Sequence, residues 1–515
     1  MAIVTADGPG RHLSMQGTDA PIAVIDIGSN SIRLVIYASG GRYPFPLFNE
    51  RSNCRLGEGL DADNMLREDR ISVSLEALSR FASIMQSMGV VKTHAVATAA
   101  VRRAANADDF TGPAGAILGT PIEVLSQAEE AHHVSRGLTL NQPTATGYVA
   151  DLGGGSLELV DLEAGKLRHS TSVNFGHLSE IGVDEIEATL AQVPWLEEGR
   201  HAALFGVGGS FRALGLAYIE QTGYPLPVLH GLRIPGRSAR SLLKAFSRET
   251  PDLSGVPLGR QKTMPMAAQI MRALLERITP DKIIVSGTSI RDGLIAEKEL
   301  ADLEGSDFLQ VVSAEMSRAS HRFGDVPHAL FTLLQPMFHM PKTKDSDRIA
   351  KAEKVANPDK VAAERRKFDR LLEAACNLSD LCWNEHEDVR GDLGARRVLG
   401  LPVNCVTHKE RIWLATAIYH RYVGRKTNKP RPPELGFILG RGRRGQATTI
   451  GLGLRFALTF SGGTADGLKG IKLTNDGQTL TLHVSEACAK LVDNHARRRF
   501  QQLAQSADLT AEIIV

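Results

Sequence analysis

Across the first 300 residues, short β-branched runs alternate with longer stretches whose apolar residues recur at helical spacing. The short runs predict strands at Ile22–Ile27, Leu34–Tyr37, His94–Thr98, Ile122–Leu125, Tyr148–Asp151, Leu157–Val160, Ala203–Val207 and Ile283–Ser286. The longer stretches predict helices at Ile71–Met88, Glu129–Leu138, Ser210–Glu220, Ser238–Phe246, Pro265–Arg277 and Asp292–Leu300. Alternation of this kind specifies an α/β architecture. Past residue 305 the pattern changes. Helices are expected at Met316–Leu334, Asp345–Leu378 and His408–Tyr422, and strands at Phe456–Phe460 and Thr479–Val484. Residues 342–370 alternate in charge, as a solvated helical face does. A Pro/Gly/Arg stretch from Gly424 to Gly445 marks a second, weaker break.

One unit of the pattern occurs twice. Ala23–Ser31 reads AVIDIGSNS and Tyr148–Ser156 reads YVADLGGGS. Each is an apolar strand ending in Asp-x-Gly and small polar residues, followed by a second strand. The copies are two β-hairpins with similar tips, not members of a short-period repeat. A glycine-rich tip lets backbone N–H groups approach an anion, and successive inward N–H groups form a phosphate nest. Gly28, Ser29, Asn30 and Ser31 supply the first tip; Gly153, Gly154, Gly155 and Ser156 supply the second. Asp26 and Asp151 would repel phosphate directly, and their natural task beside it is to hold Mg²⁺, or Mn²⁺ in its place. The same residues also build ordinary turns; two matching tips favour a shared clamp on one polyanion.

Composition sets the class. The chain has 515 residues, 60 Lys plus Arg against 58 Asp plus Glu, and a net charge of +2. No global charge excess calls for a nucleic-acid or membrane partner, and aromatic residues, 5% of the chain, form no base-stacking array. Hydrophobic residues at 43% and charged residues at 23% describe a globular chain. Cys54, Cys376, Cys382, Cys405 and Cys488 are odd in number and scattered, which fits reduced thiols in a cytoplasmic protein. There is no apolar run long enough for a membrane span, and residues 1–20 read as a flexible leader without a secretory h-region.

IDIGSNSIRLVIY and DLGGGSLELV are similar to the two phosphate motifs of the exopolyphosphatase/guanosine pentaphosphate phosphatase family. LGEGLDADNML (Leu56–Leu66), VATAAVRRAANADDF (Val96–Phe110), IEVLSQAEEA (Ile122–Ala131), GVGGSFRAL (Gly206–Leu214) and IIVSGTSIRDGL (Ile283–Leu294) resemble further segments of it in the same order. The resemblance is strong over about residues 20–300 and weak beyond. It implies two actin-like, or ribonuclease H-like, lobes around a cleft at 21–137 and 138–304. A mainly helical domain resembling HD phosphohydrolases would follow at 305–430, and a small α+β region at 431–515.

Ser126 and Glu129 have the spacing of a capping box, which gives Glu129 a structural task. The resemblance makes Glu130 the general base that activates water; the alternative is that both glutamates only complement the helix dipole. By motif correspondence Arg102 contacts phosphate, and Glu158 is a second acid that joins Asp151 and Asp26 at the metal. Gly208, Gly209 and Ser210 open a helix whose N-terminus suits another phosphate or tight strand-to-helix packing. Arg33 is left open between phosphate ligand and local ion-pair partner, and Arg291 and Asp292 are expected to be structural. Leu157 departs from the Thr often found after GGGS, and residues 260–265 lack an expected acid.

The implied activity is hydrolysis of terminal orthophosphate from inorganic polyphosphate, with guanosine pentaphosphate, a stringent-response signal, as the alternative substrate. A non-catalytic sensor and an actin-fold ATPase or sugar kinase are the rival classes. Homodimerisation is a family-level expectation. In the helical part, Leu378-Ser379-Asp380 stands where His-Asp would be, so a second metal centre is not expected; His386, His408 and His420 are scattered. Arg425, Lys426, Lys429, Arg431, Arg441, Arg443 and Arg444 form a local basic excess suited to tracking a polyanion, and Arg497–Arg499 a smaller one.

Overall fold

The computed structural model describes residues 20–38, 45–198, 203–300, 306–320, 324–339, 358–401, 403–424 and 436–515. The leader, apart from Ala20, and Arg425, Lys426, Lys429 and Arg431 of the basic track lie outside these residues. The chain divides into two compact units: Met1–Thr222 with Leu232–Gly305, and Gly223–Gly231 with Ser306–Val515.

The first unit holds two sheets of matching topology. In the first, strands β1 (Ile22–Ile27), β2 (Ile32–Tyr37), β3 (Pro46–Ser52), β4 (Lys92–Ala97) and β5 (Glu123–Val124) run in the order β3-β2-β1-β4-β5. The second contains β6 (Gly147–Leu152), β7 (Leu157–Glu163), β8 (Lys166–Val173), β9 (Ala203–Val207), β10 (Arg233–Pro235) and β11 (Lys282–Val285), in the order β8-β7-β6-β9-β11-β10. In both, the first three strands pair antiparallel and the next two join parallel; β10 is an added edge. This repeated order is that of the two lobes of an actin-like fold. The hydrophobic runs become buried central strands, Val24 and Ile25 in β1 and Val149 and Ala150 in β6 being fully covered. The edges β3 and β8 are mostly exposed and polar, which is why hydrophobic patterning did not reveal them.

Register carries the duplication to single residues. Asp26 faces Arg33 across β1–β2, and Asp151 faces Glu158 across β6–β7. Directly opposed residues share a sheet face, so the same position is an acid–base pair in one lobe and an acid–acid pair in the other.

Helices α1 (Glu68–Ser87) and α2 (Ala107–Leu118) pack together, with Phe81 and Phe110 fully buried in the core of the first sheet. Helix α3 (Gln127–Asn141) packs on α6 (Ile290–Lys298), while α4 (Gly208–Thr222) follows β9 directly and α5 (Met264–Ile278) follows later. The α3–α6 crossing is made backbone to backbone. A Cβ on Gly293 would lie 1.9 Å from the His133 carbonyl oxygen, and one on Gly137 would lie 2.7 Å from that of Ser289.

The second unit is mainly helical: α7 (Phe308–Ser320), α8 (Val326–His339), α9 (Pro358–Asn377), α10 (Arg390–Leu399), α11 (His408–Val423), α12 (Arg441–Phe460) and α13 (Asn494–Ser506). A small sheet, β12 (Ile471–Asn475), β13 (Thr479–Val484) and β14 (Thr510–Ile514), completes it. Phe456–Phe460 was expected as a strand but forms the last turn of α12, where Phe456 and Phe460 pack on each other and Phe456 on Phe500. Met316–Leu334 is two helices rather than one. Of Asp345–Leu378, the part before Pro358 lies outside the described residues. Among the described residues no helix is long and apolar enough to cross a membrane.

Candidate active site

The two hairpin tips close with the same hydrogen bond: Gly28 N donates to Ser31 O at 3.1 Å, and Gly153 N to Ser156 O at 2.9 Å. Each tip is braced by a following segment. Gly57 N and Arg55 N donate to the carbonyls of Ser29 and Asn30; His177 N and Leu178 N donate to those of Gly153 and Gly154. The tips face each other closely, since a Cβ on Gly154 would lie 3.3 Å from Ser29 Cβ. They line a cleft of about 1400 Å³ that also receives Asp26, Glu130, Asp151, Glu158, Gly208 and Gly209. Ser210 is buried and is not on the cleft wall.

Glu130 stands in the first turn of α3. The capping box forms there: Glu129 N donates to Ser126 Oγ at 3.2 Å, and Ser126 N donates to Glu129 Oε2 at 2.8 Å. Glu129 is thereby fixed outside, while the next side chain turns into the cleft and is 8% exposed. Burial pushes Glu130 up to about 7, aided by the charges of Asp151 and Asp26 and opposed by Arg102. Arg102 Nη1 donates to Glu130 Oε2 and to Leu125 O, both at 2.8 Å. Arg102 was expected on phosphate and does not line the cleft; it holds the carboxylate instead.

Asp151 lies at the end of β6, where burial, with Asp26 nearby, raises it to about 6. Gly208 opens α4 at φ +89°, and a Cβ there would come within 2.6 Å of Asp151 Oδ1; only glycine meets both demands. Glu158 is raised well above the usual carboxylate range by burial and then by Glu130 and Asp151. It accepts a hydrogen bond from Ser172 Oγ at 3.2 Å. Asp26, expected at a metal, is ion-paired with Arg291. Arg291, expected to be structural, is therefore part of the cleft wall, whereas Asp292 does cap its helix through Ser289. Among the described residues no three His, Cys, Asp or Glu side chains converge on a metal position. Asp151 and Glu158 still suit Mg²⁺, which takes one or two carboxylates and completes its shell with water and phosphate oxygens. Burial is the main cause of the rise in both, with neighbouring carboxylates adding to it.

The cleft is also far more basic than the motifs indicated. Arg33, Arg51, Arg55, Arg212, Arg260 and Lys262 line it with Arg291. Burial, then Arg291 and Arg212, lowers Arg33 to about 10; burial, then Arg51 and Arg212, lowers Arg260 to about 10. Arg33 donates from Nε to Asn49 at 2.8 Å. The Arg260 guanidinium lies against Gly209 at the start of α4, the turn expected to receive phosphate, and Arg260 Nη1 is 3.4 Å from His177 Nε2. Burial beside Arg260 brings His177 down to about 4, so it is neutral. These cations come from β2, β3 and the segment after it, α4, the short helical turn before α5 and the start of α6, and no local pattern links them. In the second unit, Arg441, Arg443 and Arg444 lie exposed on the first turn of α12.

The Ppx/GppA phosphatase family model matches residues 34–302, just over half of the chain, and a model described as exopolyphosphatase, C-terminal, matches residues 359–514. A guanosine-5'-triphosphate,3'-diphosphate pyrophosphatase of Vibrio parahaemolyticus is 27% identical over 303 residues, 55% of this chain and 60% of that protein. The chain thus spans about three fifths of the curated relatives' length. A crystal structure of the Aquifex aeolicus Ppx/GppA family member is 25% identical over 55% of this chain and 98% of its own, with a TM-score of 0.46. A structure of an exopolyphosphatase from Cytophaga hutchinsonii is 22% identical over 54% and 97%, with a TM-score of 0.49. By the extent of the match, which takes in the second hairpin, α3 and the α4 turn, this chain belongs to the Ppx/GppA phosphatase family.

Proposed function

We propose that the protein hydrolyses terminal phosphoanhydride bonds, releasing orthophosphate from inorganic polyphosphate. The observation that carries this reading is Glu130: a buried carboxylate raised to about 7, beside two facing glycine-rich hairpin tips, in a cleft rich in arginine. A base works best with a pKa near the working pH, and Glu130 would take a proton from water attacking the terminal phosphorus. Tip N–H groups and the Arg33, Arg212 and Arg260 guanidiniums would hold the equatorial oxygens and offset charge as the bond breaks. Asp151 and Glu158 would hold Mg²⁺, which neutralises phosphate oxygens when bound. The Arg102 bond keeps Glu130 aimed and partly ionised.

The second reading is guanosine pentaphosphate 5'-phosphohydrolase. It is favoured by the curated Vibrio relatives, which are named for that type of substrate. Its triphosphate end presents the same terminal group to the same tips. Phosphate release from long-chain polyphosphate and from guanosine pentaphosphate, measured in parallel with wild type and Glu130→Gln, tests both. The variant should retain binding and lose about a hundredfold or more in kcat. Full activity in Glu130→Gln overturns the mechanism, and binding without turnover by the wild type at any Mg²⁺ or Mn²⁺ level makes the protein a sensor.

A further inference from the structure

The second unit holds a concentration of positive charge. Arg421 and Tyr422 end α11, Arg390 begins α10, Arg455 lies in α12, and Arg498 and Arg499 lie in α13. Three of these guanidiniums gather on Tyr422. Arg421 Cζ is 4.3 Å and Arg390 Cζ 5.5 Å from its ring centroid, and Arg455 Nη1 donates to its carbonyl oxygen. Arg421 is anchored, with Nε donating to Ser379 O at 2.9 Å and Nη2 to Asp380 Oδ1 at 3.1 Å. The Arg421 guanidinium thus sits on the Ser379-Asp380 pair.

The other arginines are not anchored in this way. The Arg390 Nε is buried and has no hydrogen-bond partner among the described residues. Arg455 is lowered to about 10 by burial and then by Arg499, Arg421, Arg390 and Arg498. Arg499 is lowered by burial and by Arg421, Arg498 and Arg390, with Asp493 acting against them. Among the described residues, five guanidiniums thus gather beside Asp380 and Asp493. Like charges so crowded are costly unless an anion joins them, and a phosphate group, with several acceptor oxygens, is the ligand that converging guanidiniums recognise.

We propose that Arg390, Arg421, Arg455 and Arg499 form a second phosphate-binding site, within the helical unit. Arg498, exposed beside them, widens its field. The ligand is a phosphate group, either free orthophosphate or one unit of a phosphoanhydride chain. Binding there does not depend on what the cleft hydrolyses.

The test uses the full chain in magnesium-free buffer, titrated calorimetrically with orthophosphate and separately with tripolyphosphate. Arg390→Met should bind one equivalent fewer than wild type, whatever the cleft takes up, with turnover of a short substrate within twofold of wild type. Loss with orthophosphate identifies the free ion as ligand; loss confined to tripolyphosphate identifies a chain segment. Arg499→Gln is the second variant, since Arg499 is half-buried and its side chain has no hydrogen bond among the described residues. In the ligand-free state both variants should melt at or above the wild-type temperature, because like-charge crowding is relieved, and the ligand-induced rise should shrink. Unchanged equivalents in both variants, or lower ligand-free melting in both, would show that the arginines are structural and overturn the site.

Discussion

Replacing Arg102 with glutamine removes the cation that, among the described residues, pairs directly with Glu130. At present burial, the largest influence, and the Arg102 pair act in opposite directions and leave Glu130 at about 7. Unit charges 4 Å apart at an effective dielectric of about 20 interact by about 4 kcal/mol, and carboxylates beside an arginine are typically held down by about 1–3 units. The Arg102–Glu130 contact, 2.8 Å and mostly buried, belongs in that range. Without it Glu130 should titrate about 1–3 units higher, at about 8–10. The active form is the carboxylate, so activity falls as pH drops through this value, and raising it moves the fall to higher pH. At pH 7 the ionised fraction would drop from about one half to between about one tenth and one thousandth, a loss of roughly 5- to 500-fold in kcat/KM. The assay is phosphate release under kcat/KM conditions from pH 5.5 to 10. Arg102→Gln should recover towards wild type at the alkaline end, and Glu130→Gln should be low throughout. A variant profile that differs only by a constant factor, its acidic limb unmoved, refutes the assignment of Arg102 to Glu130.

Three further outcomes follow from the same geometry. Glu130 is an acid whose folded pKa exceeds its unfolded value, so its stabilising effect is complete below pH about 4.5 and is lost as pH rises through about 7, an amount of about 3 kcal/mol. Metal-free Glu130→Gln should therefore lose less melting temperature than wild type between pH 4.5 and 7.5; parallel curves would contradict this. Gly208→Ala forces a left-handed φ on alanine, at about 1–2 kcal/mol, and drives a methyl into Asp151. Its half-saturating Mg²⁺ concentration should rise about 10- to 100-fold, read from activity against metal titration. Arg260→Gln and Arg212→Gln should raise KM more than they lower kcat and flatten the salt dependence of kcat/KM, measured between 50 and 300 mM salt, since each removes one screened contact to a polyanion.

The central strands were legible because their hydrophobic runs are buried in both sheets, and the hairpin echo pointed to the true pseudo-symmetry, down to the shared turn bond of Gly28 and Gly153. The capping box separated Glu129 from Glu130 before any coordinates. The edge strands were not legible, because Pro46–Ser52 and Lys166–Val173 carry mostly exposed polar residues and lack a continuous apolar face. Arg51, Arg212 and Arg260 were missed because they meet only in three dimensions; each is an unremarked basic residue in its own stretch of chain. Arg102 was placed on phosphate by motif and Asp26 on a metal by its position beside a phosphate tip, and the fold gives each a protein partner of opposite charge, Glu130 and Arg291. Phe456–Phe460 misled because a short aromatic run fits a strand or a buried helix equally well.

The backbone contact between Gly137 and Gly293 has a mechanical consequence. It makes the α3–α6 crossing a fulcrum, with no side-chain cushion that would let the helices slide. Glu130 stands three residues before His133, whose carbonyl receives Gly293, and so rides close to the pivot. A side chain added at either glycine would therefore be felt in the helix that carries the carboxylate.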